Sequence, residues 1–199
     1  EFAAVTKTAK TDRLAAGWLL TLRGLRRSEV LGLTWADVDL EGGLLHVRHG
    51  RTGPGATLTP PKSVNSERSL PMDADLVAAL RAWRTVLAGT YGTQAVAKTA
   101  FVVVDEAGRP MRPDTYSVLW RQVCHQAGIR RRVRTHEARH TFVTHLRDQA
   151  AALGLTDRDI ATWAGHDEDT MRTTYDKRRQ VNRGQQRVAD AIHRLGEGA

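Results

Sequence analysis

The chain has 199 residues, with 30 lysines and arginines against 22 aspartates and glutamates and a formal net charge of +8. This length fits one domain with a substantial core, and the basic excess favours a polyanionic partner such as nucleic acid. The single cysteine, Cys124, excludes an intrachain disulfide, and no apolar run approaches the roughly 20 residues that span a bilayer. We therefore expect a soluble, cytoplasmic protein that does not bind membranes.

The first half of the chain changes from helical to β-like patterning. Apolar residues at helical spacing predict helices over residues 12–22 and 25–33, separated by Gly24. Three short β-rich pieces follow at 44–49, 56–60 and 68–72, and predict a small antiparallel meander with Lys62 at its second turn. A helix is expected again over 73–88, with Asp73 as its N-cap.

The second half is predicted to be mainly helical. An apolar strand at 101–104 precedes a helix from about 114 to 128, and at least four helical pieces follow to about Leu195. No stretch has the composition of a linker. The pattern predicts a single mostly helical α+β domain over residues 1–199, with a three-stranded antiparallel sheet near residues 44–72.

Six side chains able to handle a phosphate group lie in four short segments. They supply two guanidiniums, one ammonium, two imidazoles and one phenol. This set suits attack by a tyrosine on a phosphodiester, because fixed cations and donors stabilise the negative charge of the pentavalent transition state. The six residues are Arg26, Lys62, His136, Arg139, His166 and Tyr175.

The segment HEARH, residues 136–140, has two interpretations. As HExxH, His136 and His140 would bind zinc and Glu137 would activate water, but Arg139 would then place a cation close to the metal. As HxxR, His136 and Arg139 project from one face of a helix and contact the same phosphate. The second interpretation leaves His140 to face inward or to support its neighbours.

Tyr175 is the candidate nucleophile. An ordinary tyrosine has a pKa of about 10, so its ionisation at neutral pH costs about 4 kcal/mol, which nearby cations or a proton acceptor must offset. A tyrosine near a helix is most often a packing residue. The accompanying segments favour catalysis here, since His166 lies nine residues earlier and the other cations lie upstream.

The four segments together resemble the catalytic domain of the tyrosine recombinases, the integrase family of phages and mobile elements. The matching stretches are GLRRSEVLGLTWADVDL at 24–40, PPKS at 60–63, THEARHTFVTHL at 135–146 and WAGHDEDTMRTTYDK at 163–177. They occur in the order typical of that family. Relatives usually carry a core-binding domain, and often an arm-binding domain, before this region, so the resemblance implies a catalytic fragment of a longer protein.

The resemblance implies a role for each phosphate-handling residue. Arg26 and Arg139 would clamp the non-bridging oxygens of the scissile phosphate, and Lys62 would protonate the departing 5′ oxygen. Of the histidines, one would accept the tyrosine proton and one would donate to a phosphate oxygen; His136 and His166 are interchangeable in these roles. Glu29 would orient Arg26 or its neighbours, although a plain helix ion pair is also consistent with its position.

The implied reaction forms a 3′-phosphotyrosyl bond on double-stranded DNA and releases a 5′ hydroxyl. A 5′ hydroxyl from a second duplex then reverses the attack, with no metal and no cofactor. Four protomers assemble on paired sites in this family. The C-terminal segment Gln185–Leu195 has the spacing of a helix that docks on a neighbouring protomer or on its own domain.

A basic run leads into the HEARH segment and supplies candidate contacts to the DNA backbone, although a solvated loop fits it equally well. These candidates are Arg130, Arg131, Arg132 and Arg134. Two further functions share the same residues. A type IB topoisomerase would use the same chemistry to reseal one strand, and a DNA-binding module would use the cations without chemistry.

Overall fold

The computed structural model of the protein describes residues 1–60 and 67–165. Within these ranges the helices are α1 (Phe2–Ala9), α2 (Ala15–Leu22), α3 (Arg27–Gly32), α4 (Ala74–Tyr91), α5 (Pro113–Gln126), α6 (Thr135–Leu153) and α7 (Asp157–Ala164). The strands are β1 (Val38–Asp39), β2 (Leu44–Val47) and β3 (Arg68–Pro71), and two short 3₁₀ turns cover Trp35–Asp37 and Thr93–Val96. The mostly helical α+β architecture expected from the sequence is confirmed.

Helix α2 is the centre of the core. It is apolar around most of its circumference and contacts α1, α4 and α6, as expected of a helix without a polar face. Trp18 is fully buried against Tyr116 and Trp120 of α5. The Tyr116 hydroxyl donates to the Gly17 carbonyl at 2.8 Å, so this buried polar group is satisfied.

The three-stranded antiparallel sheet is confirmed, but one of its strands differs from the prediction. The strand order is β1-β2-β3, and Leu45 lies opposite Leu70. The first strand is β1, and residues 56–60 contribute only a bridge between Gly50 and Thr59. Immediately before this segment, the buried Arg51 donates to the carbonyls of Gly53 and Gly55 and holds residues 53–55 as an irregular loop.

The apolar run at 101–104 is also not a strand. Phe101 and Val104 form only isolated bridges, with Thr34 and Pro110 respectively. Val102 and Val103 are buried in the core. In a sequence, a short apolar run indicates burial more reliably than it indicates strand pairing. The run at 101–104 follows this rule.

The helix predictions are largely confirmed, with shifted ends. Asp73 caps α4 by accepting from the Leu76 amide at 3.0 Å. Helix α2 begins at Ala15, because the Asp12 carboxylate accepts from the Leu14 amide and from the Trp18 indole. Helix α1 was not predicted. The helices predicted after residue 165, including Gln185–Leu195, lie outside the described residues.

Two elements at the end of the described chain frame the candidate site. Helix α6 packs on α2, and α7 packs on α6 through a small separate cluster that includes Val143 and Ile160. Helix α7 ends at Ala164 and also touches β3. Along the two described stretches, every helix is too short or too polar to cross a membrane.

Candidate active site

Arg26 is held at the start of α3 by its own helix and by the end of α7. Its backbone amide donates to Glu29 Oε2 at 2.7 Å, and its Nη1 donates to Glu29 Oε1 at 2.7 Å. Its Nη2 donates to the carbonyl oxygen of Gly165 at 2.9 Å. With 32% of its side chain exposed, the guanidinium is both oriented and accessible.

Gly24 allows α3 to approach α6. Its φ of +87° lies in the left-handed region, and a Cβ at this position would lie 2.8 Å from a ring carbon of Phe142 on α6. Glycine alone adopts this φ without strain and leaves room for the Phe142 ring without a shift of the backbone. The break predicted between the first two helices is therefore also a close contact that positions Arg26.

Arg139 approaches the same corner from α6. Its guanidinium is buried, and it donates through Nη1 to the Gly24 carbonyl and through Nη2 to the Ala164 carbonyl. Arg26 and Arg139 therefore bind the carbonyls of consecutive residues, 165 and 164, although they are far apart in sequence. The two guanidiniums expected to share a phosphate lie at one corner of the molecule.

Arg68 is a third arginine at this corner, and sequence reasoning missed it. Its Nε donates to the Trp163 carbonyl at 2.7 Å, and its Nη1 and Nη2 donate to the two oxygens of Glu29 at 3.0 and 3.1 Å. One signal was present in the sequence. In β3, Arg68 alternates with the buried Leu70, so a charged residue occupies an inward-facing position of a strand, where it requires a partner.

Glu29 is the acidic centre of the arginine cluster. Burial acts to raise the pKa of its carboxyl group, but hydrogen bonds and charge from Arg68 and Arg26 outweigh burial and hold this pKa below its ordinary value. Glu29 is therefore ionised at neutral pH. Among the described residues, Arg26 and Arg68 both donate to this carboxylate, and Arg139 places a third guanidinium at the same corner.

The three arginines together bind the last carbonyls of α7. A helix leaves its final carbonyls without intrahelical partners and carries partial negative charge at that end. Arg68, Arg139 and Arg26 donate to residues 163, 164 and 165 in turn. This arrangement fixes the point from which the chain continues to His166.

His136 and His140 form a pair on α6. Their Nε2 atoms are 2.7 Å apart, and their rings meet edge to face. One nitrogen must donate and the other accept at this distance, so both rings cannot be fully protonated in this arrangement. His136 is exposed whereas Arg139, three residues later, is buried, and their joint contact with one phosphate stays a prediction.

The zinc interpretation of HEARH gains no support from this geometry. The Glu137 carboxylate accepts from the Arg134 backbone amide at 2.5 Å and caps the start of α6. Across residues 1–60 and 67–165, no cluster of three or more His, Cys, Asp or Glu side chains could hold a metal ion.

Three of the six predicted site residues lie outside the described residues: Lys62, His166 and Tyr175. Their roles remain predictions.

The predicted basic run lies beside a groove of about 670 Å³ between α5 and the loop that leads to α6. Arg130, Arg132 and Arg134 are exposed, whereas Arg131 pairs with Glu1 at 2.7 Å. Along α5 the groove is lined by the apolar Val118 and by four polar or basic side chains, Arg121, Gln122, His125 and Gln126. The run is thus continuous with a wider set of cations and amide groups that the sequence did not single out.

Comparison with known proteins gives a consistent family assignment. The family model described as "Phage integrase family" matches residues 1–180. The tyrosine recombinase XerC of Xanthomonas campestris pv. campestris (strain B100) is 28% identical over 145 residues, 73% of this chain and 38% of its own length. A XerC-like tyrosine recombinase of Caldanaerobacter subterraneus subsp. tengcongensis is 28% identical over 184 residues, 83% of this chain and 46% of its own length.

A solved structure shares the fold. The Tn1549 transposon integrase in complex with transposon right end DNA superposes with a TM-score of 0.67 at 23% identity, over 87% of this chain and 58% of that one. The chain spans less than half the length of the two recombinases above.

Proposed function

The chain belongs to the phage integrase family, and on that premise we propose that it cleaves and rejoins double-stranded DNA through a covalent bond to Tyr175. The observation that carries the proposal is the meeting of Arg26 and Arg139 at the Gly165 and Ala164 carbonyls. Arg26 is partly exposed and Arg139 is buried, yet they converge from separate helices on the same helix end. Two guanidiniums at one corner can donate charge-assisted hydrogen bonds to the oxygens of a phosphodiester.

The arginine cluster supports electrostatic stabilisation of the transition state. A guanidinium has five N–H donors, and the contacts of Arg26 with Glu29 and Gly165 leave donors for a non-bridging phosphate oxygen. Because Arg26 is already oriented, it gains this contact without reorganisation at the moment of reaction. Arg139 would contribute the second positive charge from the buried side of the same corner.

The proposed step is a balanced exchange of phosphodiester bonds. The Tyr175 oxygen attacks phosphorus, a 3′-phosphotyrosyl bond forms, and the bond to the 5′ oxygen breaks. Lys62 gives a proton to that leaving oxygen, and His136 or His166 takes the proton of the phenol. A 5′ hydroxyl then attacks the phosphotyrosyl bond and restores the phosphodiester, so the step needs no cofactor.

The proposed substrate is duplex DNA, and the proposed outcome is site-specific recombination. The net charge of +8 and the groove beside the basic run supply a surface for backbone phosphates. The Tn1549 integrase is described in complex with transposon DNA, and by analogy we assign integration or excision of a mobile element to this chain. Assembly of four protomers on paired sites and action at the bacterial nucleoid belong to the same proposal.

The test is to trap the covalent complex. The wild-type protein is incubated with a library of nicked duplexes, in which cleavage releases a short strand and prevents religation. We expect a DNA-linked band that survives denaturation and disappears in Tyr175→Phe. The matched control is Tyr91→Phe. Tyr91 is the last residue of α4, its hydroxyl donates to the Glu106 carbonyl, and it is not a predicted site residue.

Two results would overturn the proposal. The first is the absence of a covalent band from the wild-type protein. This result would favour the alternative that the protein binds DNA but does not cleave it. The second is a band that persists in Tyr175→Phe. The DNA sequences recovered from the covalent complex are then tested in two assays. Recombination requires a pair of matching sites, whereas a type IB topoisomerase would relax a supercoiled plasmid that carries a single site.

A further inference from the structure

We propose that Arg68 is a positioning residue that sets the orientation of Arg26 through Glu29. This inference rests on the proposed function, because it assigns Arg68 to the same phosphate site. Arg68 and Glu29 side chains are only 4% and 7% exposed, whereas Arg26 is 32% exposed. The buried pair lies behind the accessible guanidinium and fixes it.

Glu29 connects the two arginines through both of its oxygens. Oε1 accepts from Arg26 Nη1 at 2.7 Å and from Arg68 Nη1 at 3.0 Å. Oε2 accepts from the Arg26 backbone amide at 2.7 Å and from Arg68 Nη2 at 3.1 Å. Because the fork of Arg68 engages both oxygens, the carboxylate plane cannot rotate without loss of a charged hydrogen bond.

Arg68 also fixes the other partner of Arg26, the end of α7. Its Nε donates to the Trp163 carbonyl, two residues before the Gly165 carbonyl that Arg26 binds. The Trp163 indole donates in turn to the carbonyl of Arg23, the residue that follows α2, at 2.9 Å. Arg68 therefore holds both acceptors of the Arg26 guanidinium, the carboxylate and the helix end.

Gly165 shows how closely the end of α7 approaches Arg68. Its φ is +59°, and a Cβ at this position would lie 2.8 Å from Arg68 Nη1. A side chain here would displace the guanidinium or the helix end. The close approach is possible because glycine has no Cβ.

Lysine could not replace Arg68 in this arrangement. The three Arg68 nitrogens that contact Glu29 and Trp163 lie in one plane, two toward Glu29 and one toward Trp163. A lysine ammonium is a point charge on a flexible stem and lacks this rigid fork. Arg68→Lys therefore keeps the charge at the site and removes the positioning.

The inference is distinguished from a purely structural role by its dependence on Arg26. If Arg68 acts through Arg26, its loss matters only while Arg26 is present. If Arg68 only stabilises the fold, its loss lowers activity by the same factor in either background. A double-mutant cycle separates these cases.

The experiment measures single-turnover cleavage of a nicked duplex at saturating DNA by wild type, Arg68→Gln, Arg26→Ala and the double variant, with slow variants followed over many hours. We expect Arg68→Gln to slow cleavage roughly a hundredfold, the scale of a displaced catalytic group, with DNA affinity changed less than about threefold. In the Arg26→Ala background the further loss should be about threefold or less. Arg68→Lys should lose nearly as much as Arg68→Gln, which separates position from charge.

Equal factors in both backgrounds, or full activity in Arg68→Lys, would overturn the inference. The matched control is Arg81→Gln, which breaks an exposed ion pair with Glu41 of similar length, 3.0 Å, and should leave cleavage unchanged.

A second measurement needs no cleavage and so separates this inference from the proposed function. Nitrogen-15 NMR of the Arg26 guanidinium should show slowed rotation of its Nη groups in the wild type and averaged signals in Arg68→Gln. An unchanged Arg26 spectrum in a folded Arg68→Gln protein would refute positioning, whether or not the wild type cleaves DNA.

Discussion

Replacement of Glu29 by glutamine tests the electrostatic centre of the site. The substitution keeps the size of the side chain and removes its negative charge. Glutamine retains one oxygen acceptor, but its amide group meets an arginine N–H where the carboxylate offered a second oxygen. Arg68 then keeps its charge at a position where only 4% of its side chain is exposed.

The expected cost follows from this burial. Removing one partner of a buried ion pair destabilises a protein by about 3–5 kcal/mol. Arg26 can turn its exposed guanidinium toward water, so we expect the lower end, about 3 kcal/mol at neutral pH. For a chain of this size, that change corresponds to a fall in Tm of roughly 6–12 °C.

The difference in unfolding free energy between the wild type and Glu29→Gln should also depend on pH. The pKa of Glu29 lies below its ordinary value of 4.5 in the folded protein, so its stabilising contribution is complete above about pH 4.5 and is lost as the pH falls through the folded value. Glutamine does not titrate. The gap in unfolding free energy should therefore close below pH 4.5, with a slope of up to about 1.4 kcal/mol per pH unit.

Urea unfolding at a series of pH values from neutral to acid measures this gap directly. The matched control is Glu41→Gln, because the Glu41 side chain is 89% exposed in its pair with Arg81 and should contribute less than about 1 kcal/mol. A Glu29→Gln protein as stable as the wild type would refute the reasoning. So would a gap that stays constant as the pH falls.

Three further predictions concern other parts of the molecule. Arg51→Met should lower the unfolding free energy, measured by urea unfolding, by about 3 kcal/mol. Four carbonyl oxygens accept from this buried guanidinium, and the substitution leaves them without that donor. An unchanged unfolding free energy would contradict this prediction. His140→Phe keeps a ring against His136 but removes the nitrogen contact, so single-turnover cleavage should slow roughly tenfold or more, and an unchanged rate would exclude a supporting role. Arg130→Gln with Arg132→Gln should weaken DNA binding and reduce the slope of log affinity against log salt by about 2, whereas an unchanged slope would leave both side chains as solvated surface.

The sequence predicted the parts of the fold that depend on local order. Helix α4 follows from an apolar stripe and the Asp73 cap, and Glu29 follows Arg26 at a spacing that brings side chains together on a helix. Strand β2 lies within a predicted strand. In each case the decisive contacts lie within a few residues, so a short window of sequence contains the information.

The missed features depend on contacts between distant segments. In the sequence, Arg68 looks like an ordinary charged residue in a strand. Its role becomes visible only in the folded protein, where it contacts Glu29 and the end of α7. Arg51 likewise reads as a turn cation, yet it is fully buried and donates to Leu31 and Met111. Arginine is rarely buried, so residue type alone favours the surface for both. The alternation of Arg68 with Leu70 indicates an inward-facing position but does not identify its partners.

The candidate site is therefore a property of the assembled domain. Helix α7 has eight residues, too few to be stable alone in water, and it is held by apolar contacts with α6 and by the three arginines at its last carbonyls. Two of the guanidiniums that hold α7, those of Arg26 and Arg139, are also the ones proposed to bind the scissile phosphate. Since Arg26 has donors for both tasks, a phosphate would add to its contacts with α7, and formation of the phosphate site and docking of α7 should be energetically coupled.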